Sequence, residues 1–553
     1  MGGRMTTAPT ISWELPNENV VLVDDVKALK QVVHDEMELI GCGLHQLRVV
    51  TVLGLGNVAD AVEILAIGYI LTVYEDSEGI MTPWESSLLT AAVFAGMLAG
   101  GMIGGVAGDI YGRKPVLLVT LAINALAAFF SAFSPNIYWL IFFRALAGLG
   151  VGGVVATLFA LCLEHVPVSA RGRYVTILCS FWMIGAVVTA GTAWIMLGKY
   201  NNGERILHLS WRWFAGIVGL PSFTCLILTT QYIPESPHFL ASKGDAQGVT
   251  AVLQYIHKIH QSGRQIQIQF FNEGDSVDNK KRDSGDITNL HDAICSNKSL
   301  QIVAGLFDRS NAASTLLLML CGFSLSFGSY GLSTWITKLF QSAGLKNPFE
   351  NAFLFAGANL PGNVVSLYLI DIIGHQRLFS GALFMSALCA LLFAFNIEGS
   401  KTIIVLVSCL FSACTTAAWN GFGVLSAESF PQEFRTTGIA VVNCSNRVAA
   451  ITSQFVNGFL MGPPPHLMAL LLVTTVIMCT GGIASRWISI YEIDRGDNIF
   501  KSEIIDPAQD NSLNLQDDGE GEHIGLIHGD FLLREKKSGK KRDKNGESDD
   551  GER

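Results

Sequence analysis

Apolar runs of about 20 residues recur along most of the chain, and short polar segments separate them. Because an α-helix rises 1.5 Å per residue, each run is long enough to cross a hydrocarbon layer about 30 Å thick. The pattern predicts an all-α membrane protein with twelve transmembrane helices in two sets of six. The first set covers residues 47–71, 84–108, 115–133, 137–161, 174–198 and 213–232, and the second covers 313–338, 351–372, 378–396, 402–427, 437–461 and 466–490.

The polar segments divide the chain into five parts. We predict an N-terminal tail (1–45), a six-helix bundle (46–232), a linker (233–311), a second six-helix bundle (312–491) and a C-terminal tail (492–553). The charged linker is expected to hold short surface helices and disordered stretches. The basic cluster in the C-terminal tail is interpreted as part of a disordered segment, and contact with anionic lipid is the alternative.

Two short motifs occur once in each predicted bundle. The spacing of Glu164, Pro167 and Arg171 is repeated by Glu428, Pro431 and Arg435, 264 residues further on. The spacing of Asp109, Gly112 and Arg113 is repeated by Asp371, Gly374 and His375, 262 residues further on. The nearly constant offset indicates an internal duplication. Parallel repeats of this kind give two pseudo-symmetric bundles with a transport site between them, near the middle of the membrane.

The short loops differ in their content of lysine and arginine. One alternate set of loops contains Arg113, Lys114, Arg171, Arg173, Arg377 and Arg435, whereas the first loop of the other set contains Glu75, Asp76 and Glu78. Because cytosolic loops are enriched in Lys and Arg, the first set and both termini are predicted to be cytosolic. We expect a multi-pass protein of the plasma membrane or of an intracellular vesicle membrane.

The composition agrees with lipid as the solvent, since 15% of the residues are charged against roughly 25% in soluble domains. The net charge of −10 describes mainly tails and loops, so it gives no indication of nucleic acid binding. Nine of the eleven cysteines lie in apolar runs, without the spacing of metal ligands. We therefore expect no metal and no cofactor. The N-terminal tail does not have the pattern of a removable signal peptide.

Two loops carry motifs of a known superfamily. The motif formed by Gly105, Asp109, Gly112, Arg113 and Lys114 resembles the G-x-x-x-D-R-x-G-R-[RK] loop of the major facilitator superfamily (MFS), with Ile110 at the usual Arg position. The run Pro234–Pro237 resembles the P-E-S-P-R motif of sugar-porter-like members, with His238 in place of the Arg. The resemblance covers residues 45 to 490 and implies the MFS fold in a monomeric transporter.

Further segments are similar to one branch of this superfamily, the synaptic vesicle glycoproteins and the synaptic-vesicle-two-related transporters, which neighbour the organic ion transporters. These segments are Ala59–Glu63, Phe181–Gly185, Ser210–Arg212 and Tyr330–Leu332, with Trp335. The long luminal insert of the vesicle glycoproteins is absent from the sequence, so the related-protein branch fits better. The resemblance implies a small organic solute, either an organic anion or cation or a sugar-like molecule.

A charged side chain in the hydrocarbon layer costs a few kcal/mol, so such residues are expected to be paired or to face a cavity. Asp60 and Glu63 lie about one turn apart on one helix face, where burial and mutual repulsion favour protonation of at least one carboxyl group. The family pairs an acid of the first helix with an arginine of the fourth, which implies that Asp60 or Glu63 pairs with Arg144. We interpret these three residues as a proton-coupling set. A static ion pair that fixes helix register is the alternative.

Arg447 lies near the middle of the eleventh predicted helix and resembles an arginine that organic-ion relatives carry there. A guanidinium that faces a cavity suits a substrate carboxylate, and an acidic partner on another helix is the alternative. Aromatic and amide side chains of the cavity-lining helices could orient a ring-shaped solute, with simple packing as the alternative for each. These candidates are Trp182, Tyr330, Trp335, Asn359, Trp419, Asn420 and Asn446.

The predicted cytosolic loops resemble the ionic latch of the superfamily, which ties helix ends together in the outward-facing state. The candidates are Gly105, Asp109, Gly112, Arg113, Glu164, Arg171, Glu235, Asp371, Glu428 and Arg435. Each exposed pair contributes only ~0 to 1 kcal/mol, so a network is needed for latching. Anchoring of the loops in the cytosol is the alternative role.

The sequence lacks the G-x-S-x-G, metal-spaced His/Cys and G-x-x-x-x-G-K-[ST] motifs that would indicate an enzyme or an ATP-driven pump. It therefore predicts a non-enzymatic secondary active transporter that works by alternating access, with a proton as the coupled ion and the lipid bilayer as its surroundings. The alternative on the same scaffold is a transport-inactive receptor or trafficking protein.

Overall fold

Helices form nearly all of the described structure. The computed structural model describes residues 20–23, 26–79, 81–198, 207, 209–260, 267–270, 305–308, 311–430 and 435–488. The first set of long helices comprises α2 (Leu44–Glu78), α3 (Pro83–Tyr111), α4 (Arg113–Ser131), α5 (Ile137–Glu164), α6 (Arg171–Leu197) and the pair α7 (Trp211–Ile217) and α8 (Leu220–Tyr232). The second set comprises α11 (Ala312–Ser342), the pair α12 (Pro348–Gly357) and α13 (Asn359–Ile373), α14 (His375–Phe395), α15 (Lys401–Glu428), α16 (Arg435–Leu460) and α17 (Leu467–Ala484). Each predicted helix has a counterpart, which confirms the all-α membrane fold.

Eleven helical segments in the described part of the chain are long and apolar enough to cross a membrane. The remaining counterpart of the twelve predicted helices is α16. Its polar residues lower its hydropathy, among them Asn446, Arg447 and Gln454. Because α16 packs between α3 and α11, these side chains contact protein rather than lipid.

Several helices depart from the predicted boundaries. The helix predicted over 213–232 is divided into α7 and α8 at Val218 and Gly219, and two other departures have local reasons. α2 continues past residue 71 to Glu78. The acidic residues of its last turns end the apolar run, but they do not prevent the backbone from continuing as a helix. The helix predicted over 351–372 is interrupted at Ala358, because Pro361 has no N–H to donate to the carbonyl of Gly357.

Helices α3 and α5 pack at backbone distance. A Cβ added at Gly100 would lie 2.0 Å from the carbonyl oxygen of Leu149, and one added at Gly148 would lie 2.1 Å from that of Val93. Glycine is therefore required on both helices. This contact fixes the position of Arg144, one turn before Gly148 on α5.

The first and second sets of helices meet along three helix pairs, α2 with α11, α3 with α16 and α6 with α12. Within the second set, α6 packs mainly on α12 and only weakly on α13. We name the two ends of the helix bundle by their residues, the Glu75 end and the Arg113 end. The contacts between the two sets therefore concentrate in the middle and toward the Glu75 end.

A small cap at the Arg113 end joins the N-terminal tail to the linker. It contains α1 (Val26–Ile40), α9 (Pro237–Ser242), α10 (Ala246–Ile259) and a parallel pair of strands, β1 (Val20–Val23) and β2 (Gln267–Phe270). Its core includes Leu29, Val33, Val249, Leu253 and Ile256, all at most 1% exposed. The sequences of the tail and the linker, taken separately, give no indication of this contact.

Two further predictions lie outside the described residues. The expected disorder of the linker concerns residues 271–304, and the basic cluster belongs to the C-terminal tail, 492–553.

Candidate functional site

A fully buried ion pair joins α2 and α5 inside the first set of helices. Arg144 Nη1 donates to Glu63 Oε2 at 2.8 Å, and both side chains are 0% exposed. Arg144 Nη2 also donates to the hydroxyl of Ser131 at the end of α4. Among the described residues, Glu63 Oε1 and Arg144 Nε have no hydrogen-bond partner. Glu63 Oε1 can therefore still accept a proton or a hydrogen bond, and Arg144 Nε can still donate a hydrogen bond to a water molecule.

Asp60 lies one turn before Glu63 on α2 but has different neighbours. Its Oδ2 accepts a hydrogen bond from Trp182 Nε1 of α6 at 3.1 Å, and its Oδ1 has no partner within the described part of the chain. The charged side chain that acts on Asp60 electrostatically is Arg447, which belongs to the second set of helices. The two carboxylates of α2 thus interact with two different arginines.

Arg447 lies at the junction of the two sets of helices. Its Nη1 is 3.6 Å from Met97 Sδ on α3, and its Cζ is 5.9 Å from the centre of the Tyr330 ring on α11. The charge of Arg447 acts on Asp60 of α2, but no ion pair joins the two side chains in the described structure. Both interpretations of Arg447, a guanidinium for a solute carboxylate and one with an acidic partner on another helix, therefore stay open.

Three of the predicted aromatic residues form a chain of contacts near Asp60 and Arg447. The Tyr330 ring lies 5.6 Å from that of Trp419, whose Nε1 donates to Ser329 Oγ at 3.2 Å. Trp182 contacts Asp60 from the other side. Phe94, which the sequence analysis did not single out, packs 5.3 Å from Tyr330. We call Asp60, Trp182, Tyr330, Trp419 and Arg447 the central cluster.

The other predicted solute contacts are engaged within the second set of helices. Trp335 is 0% exposed and donates to Gln454, Asn359 accepts from Ser412 and Thr416, and Asn420 donates to Asn363 and Ser366. Asn446 is buried against Gly322. These side chains serve helix packing in this conformation, and the structure does not bring them to the central cluster.

The predicted latch residues of the first half form a network at the Arg113 end. Arg113 contacts Asp109 at 2.9 Å and Glu164 at 3.2 Å, and it donates to the carbonyl of Gly108 at 3.0 Å. Glu235 accepts from the backbone N–H of Lys114. All these contacts lie within the first half, so they tie the ends of its own helices together.

In the second half, His375 lies 3.0 Å from Glu428. The remaining latch candidates are less engaged. Asp371 is exposed, and Arg171 and Arg435 each have an Nε without a partner among the described residues. A Cβ added at Gly105 would meet nothing within 4 Å, so the structure gives this glycine no packing role.

Gly112 is required by the latch in two ways. Its φ of +110° disfavours any other residue, and a Cβ there would lie 2.4 Å from Glu235 Oε2. Gly112→Ala is therefore expected to destabilise the protein by about 1 to 3 kcal/mol. Thermal unfolding of the purified protein measures this loss. Gly105→Ala is the matched control, and an equal loss in both variants would contradict the assignment.

Histidines near the latch are poor proton carriers. Burial lowers the pKa of His165 to about 4, and burial together with the charge of Arg171 lowers the pKa of His238 to about 4. Both are therefore neutral at physiological pH, since a histidine is neutral above its pKa.

The Glu75 end is closed by contacts that the sequence analysis did not predict. Lys338 of α11 donates to Glu75 of α2 at 2.6 Å. A Cβ added at Gly68 would lie 1.9 Å from the carbonyl oxygen of Thr334, so α2 and α11 touch through their backbones. Both contacts join the first set of helices to the second. At the Glu75 end, α2 and α11 are therefore in direct contact.

Comparisons with known proteins identify the family of the chain. The family described as sugar (and other) transporter matches residues 60–494. Organic cation/carnitine transporter 7 of Arabidopsis thaliana is 26% identical over 479 residues, covering 81% of this chain and 92% of the relative. Human synaptic vesicle glycoprotein 2C is 24% identical over 572 residues, covering 80% of this chain and 78% of the relative.

Solved transporters share the fold at low sequence identity. A D-xylose-proton symporter superposes with a TM-score of 0.61 at 16% identity, covering 80% of this chain and 97% of the other. An inward open conformation of the xylose transporter XylE from E. coli gives a TM-score of 0.59 at 15% identity, covering 81% and 98% of the two chains. These matches confirm the MFS fold predicted from the sequence.

Proposed function

Since the chain belongs to the sugar (and other) transporter family of the major facilitator superfamily, we propose that it carries a small organic anion together with a proton. The observation that supports this proposal best is that the charge of Arg447, on α16 of the second half, acts on Asp60 of α2 in the first half. A carrier must change the contacts between its halves in every cycle, so a charge pair at this junction is well placed to couple solute binding to movement.

Charge balance explains how the proton and the anion depend on each other. While Asp60 is ionised, its negative charge balances that of Arg447 and competes with an anionic solute. Protonation of Asp60 removes this competition and leaves the guanidinium free for a solute carboxylate. Because coupling between two ligands is reciprocal, the bound anion in turn favours protonation of Asp60. The cycle therefore moves one proton with each anionic group.

The aromatic side chains of the central cluster set the shape of the solute. Trp182, Tyr330 and Trp419 present flat faces beside the charge pair. Such surfaces suit a ring or a short apolar body attached to the carboxylate. The name of the Arabidopsis relative includes organic cations, which makes a cation that pairs with Asp60 the second candidate solute.

The contact between α2 and α11 at the Glu75 end supports the proposal that the molecule is in one state of an alternating-access cycle. We propose that the Arg113 end is cytosolic, as the lysine and arginine content of its loops indicates, so this state faces the cytosol. Both termini are then cytosolic, and the protein acts as a monomer in the plasma membrane or an intracellular vesicle membrane. The opposite state requires separation of Glu75 from Lys338 and of α2 from α11.

Uptake into proteoliposomes tests the proposal. Arg447→Ala is expected to lower uptake of organic anions at least tenfold, since charge-assisted hydrogen bonds contribute about 1.5 to 3 kcal/mol, and to affect neutral sugars less. Asp60→Asn is expected to remove the pH dependence of anion binding, which in the wild type weakens as pH rises and Asp60 ionises. Arg486→Ala, a change outside the central cluster, is the matched control.

Three outcomes separate the alternatives. Equal losses for anions and neutral solutes in Arg447→Ala would assign Arg447 to helix packing. Faster uptake of cations than of anions, abolished by Asp60→Asn, would favour the second candidate solute. Absence of flux for every class of solute, in protein that still binds one of them, would favour a transport-inactive receptor on this scaffold.

A further inference from the structure

The two copies of the loop motif differ in the cation that follows their glycine. The first copy has Arg113 after Gly112, and the second has His375 after Gly374. The backbone is alike in both, since Gly112 has φ +110° and Gly374 has φ +82°. Each cation begins a helix, α4 in the first half and α14 in the second. The comparison therefore isolates one chemical difference, a permanent charge against a charge that depends on pH.

The cations reach equivalent acids. Arg113 Nε lies 3.2 Å from Glu164 Oε1 at the end of α5, and His375 Nε2 lies 3.0 Å from Glu428 Oε2 at the end of α15. Glu164 and Glu428 are themselves the equivalent residues of the second repeated motif. Both pairs therefore tie the start of one helix to the end of the next.

The two pairs differ in how they are held. Arg113 also contacts Asp109 and the carbonyl of Gly108. His375 Nε2, although close to Glu428, is not aligned for a hydrogen bond with any group in the described structure. Attraction between opposite charges is thus the main contribution, and it exists only while the imidazole is protonated.

The charged groups that can act on this pair lie on the elements around α14. Phe393, at the far end of α14, contacts Phe340 of α11. The other described elements that pack against α14 are mainly α13, α15, α17 and the short turn 485–487. Their charged residues are Asp371, Lys401, Glu428 and Arg486, and α14 itself contributes Arg377. Lys401 of α15 and Lys338 of α11 lie at the Glu75 end of the bundle, so among the described residues of these elements Asp371, Arg377 and Arg486 are the groups that can modify the pair.

We propose that the second half carries a proton-dependent latch, in which protonation of His375 from the aqueous phase at the Arg113 end binds α14 to α15 through Glu428. Histidine is the side chain that changes charge between about pH 5 and pH 8. The latch is engaged at the acidic end of this range and released as pH rises. The Arg113 latch of the first half stays engaged throughout. The proposal concerns regulation and does not depend on the identity of the solute.

Hydrogen exchange at matched pH tests the latch directly. The amides of the last turn of α15 and the first two turns of α14 are followed in the full chain, in wild type, His375→Arg and His375→Gln. Comparison of variants at one pH cancels the intrinsic pH dependence of exchange. At about pH 5.5 the wild type is expected to exchange like His375→Arg, and His375→Gln about two- to fivefold faster. At about pH 8 the wild type is expected to exchange like His375→Gln.

Two more variants make the result specific. At the acidic pH, the Glu428→Gln variant and the Glu428→Gln/His375→Gln double variant are expected to exchange at the same rate. Arg113→His is expected to make exchange in the first two turns of α4 depend on pH in the same direction. A constant ratio between wild type and His375→Gln at both pH values would overturn the proposal. So would an equal change in His466→Gln, which alters a histidine at the other end of the bundle.

Discussion

Replacing Arg144 with alanine is expected to destabilise the folded protein by about 3 to 5 kcal/mol. Glu63 lies fully buried, 2.8 Å from the guanidinium. Without the guanidinium of Arg144, the Glu63 carboxylate either remains charged in a low-dielectric interior or takes up a proton. Both outcomes lower the free energy of unfolding. Denaturant or thermal unfolding of the purified protein measures the loss.

A double variant separates the pair from its surroundings. Combining Glu63→Leu with Arg144→Met removes both charges, and it is expected to cost less than Arg144→Ala alone, because no unpaired charge remains. If the loss of stability in the double variant equalled the sum of the losses in the two single variants, the two side chains would not act as a pair. The double variant also tests function. Uptake that still depends on pH in this folded variant would assign the pair to helix register and remove it from proton coupling.

Substituting Gly68 with leucine is expected to lower transport at least tenfold without preventing folding. A Cβ at this position would lie 1.9 Å from the carbonyl oxygen of Thr334, so α2 and α11 could not approach as they do here. Overpacking of this kind costs about 1 to 3 kcal/mol in the closed state alone. Each 1.4 kcal/mol changes a population about tenfold, so the Glu75 end would remain open.

Accessibility of the closed end provides the measurement. A cysteine introduced at Thr72, which is buried in the closed state, is expected to react faster with a water-soluble thiol reagent in the Gly68→Leu background. Gly423→Leu is the matched control, since a Cβ at this helical glycine would meet nothing within 4 Å. Unchanged reactivity at Thr72→Cys together with normal uptake would show that this contact does not control opening.

The sequence was sufficient to predict the helices and the charged residues within them. Twelve apolar runs appear as helices, and the rarity of charge in such runs singled out Asp60, Glu63, Arg144 and Arg447. The pattern could not assign partners, because partners depend on how each helix is rotated and on which neighbours it has. The sequence analysis therefore left Asp60 and Glu63 as equivalent candidates for Arg144, whereas the structure pairs Arg144 with Glu63.

Contacts between distant polar segments were missed for a different reason. The sequence places Glu75 in an acidic loop and Lys338 at the end of a predicted helix. Neither segment contains a pattern that predicts contact with the other. The cap was missed because a tail and a linker, each polar, show no joint pattern until α1 packs on α10. The candidate amides Asn359 and Asn420 were assigned to the solute because their residue type suits a cavity, but their local hydrogen bonds are already satisfied.

The two carboxylates of α2 respond to different arginines although only one helical turn separates them. Glu63 forms an ion pair with Arg144 of the same half, whereas the charge of Arg447, in the other half, acts on Asp60. Under the proposed function, thermal tolerance and solute selectivity therefore depend on separate positions one turn apart. Substitutions at Asp60 are expected to change the preferred solute while the fold keeps its stability, whereas substitutions at Glu63 are expected to unfold the protein before any new preference can be measured.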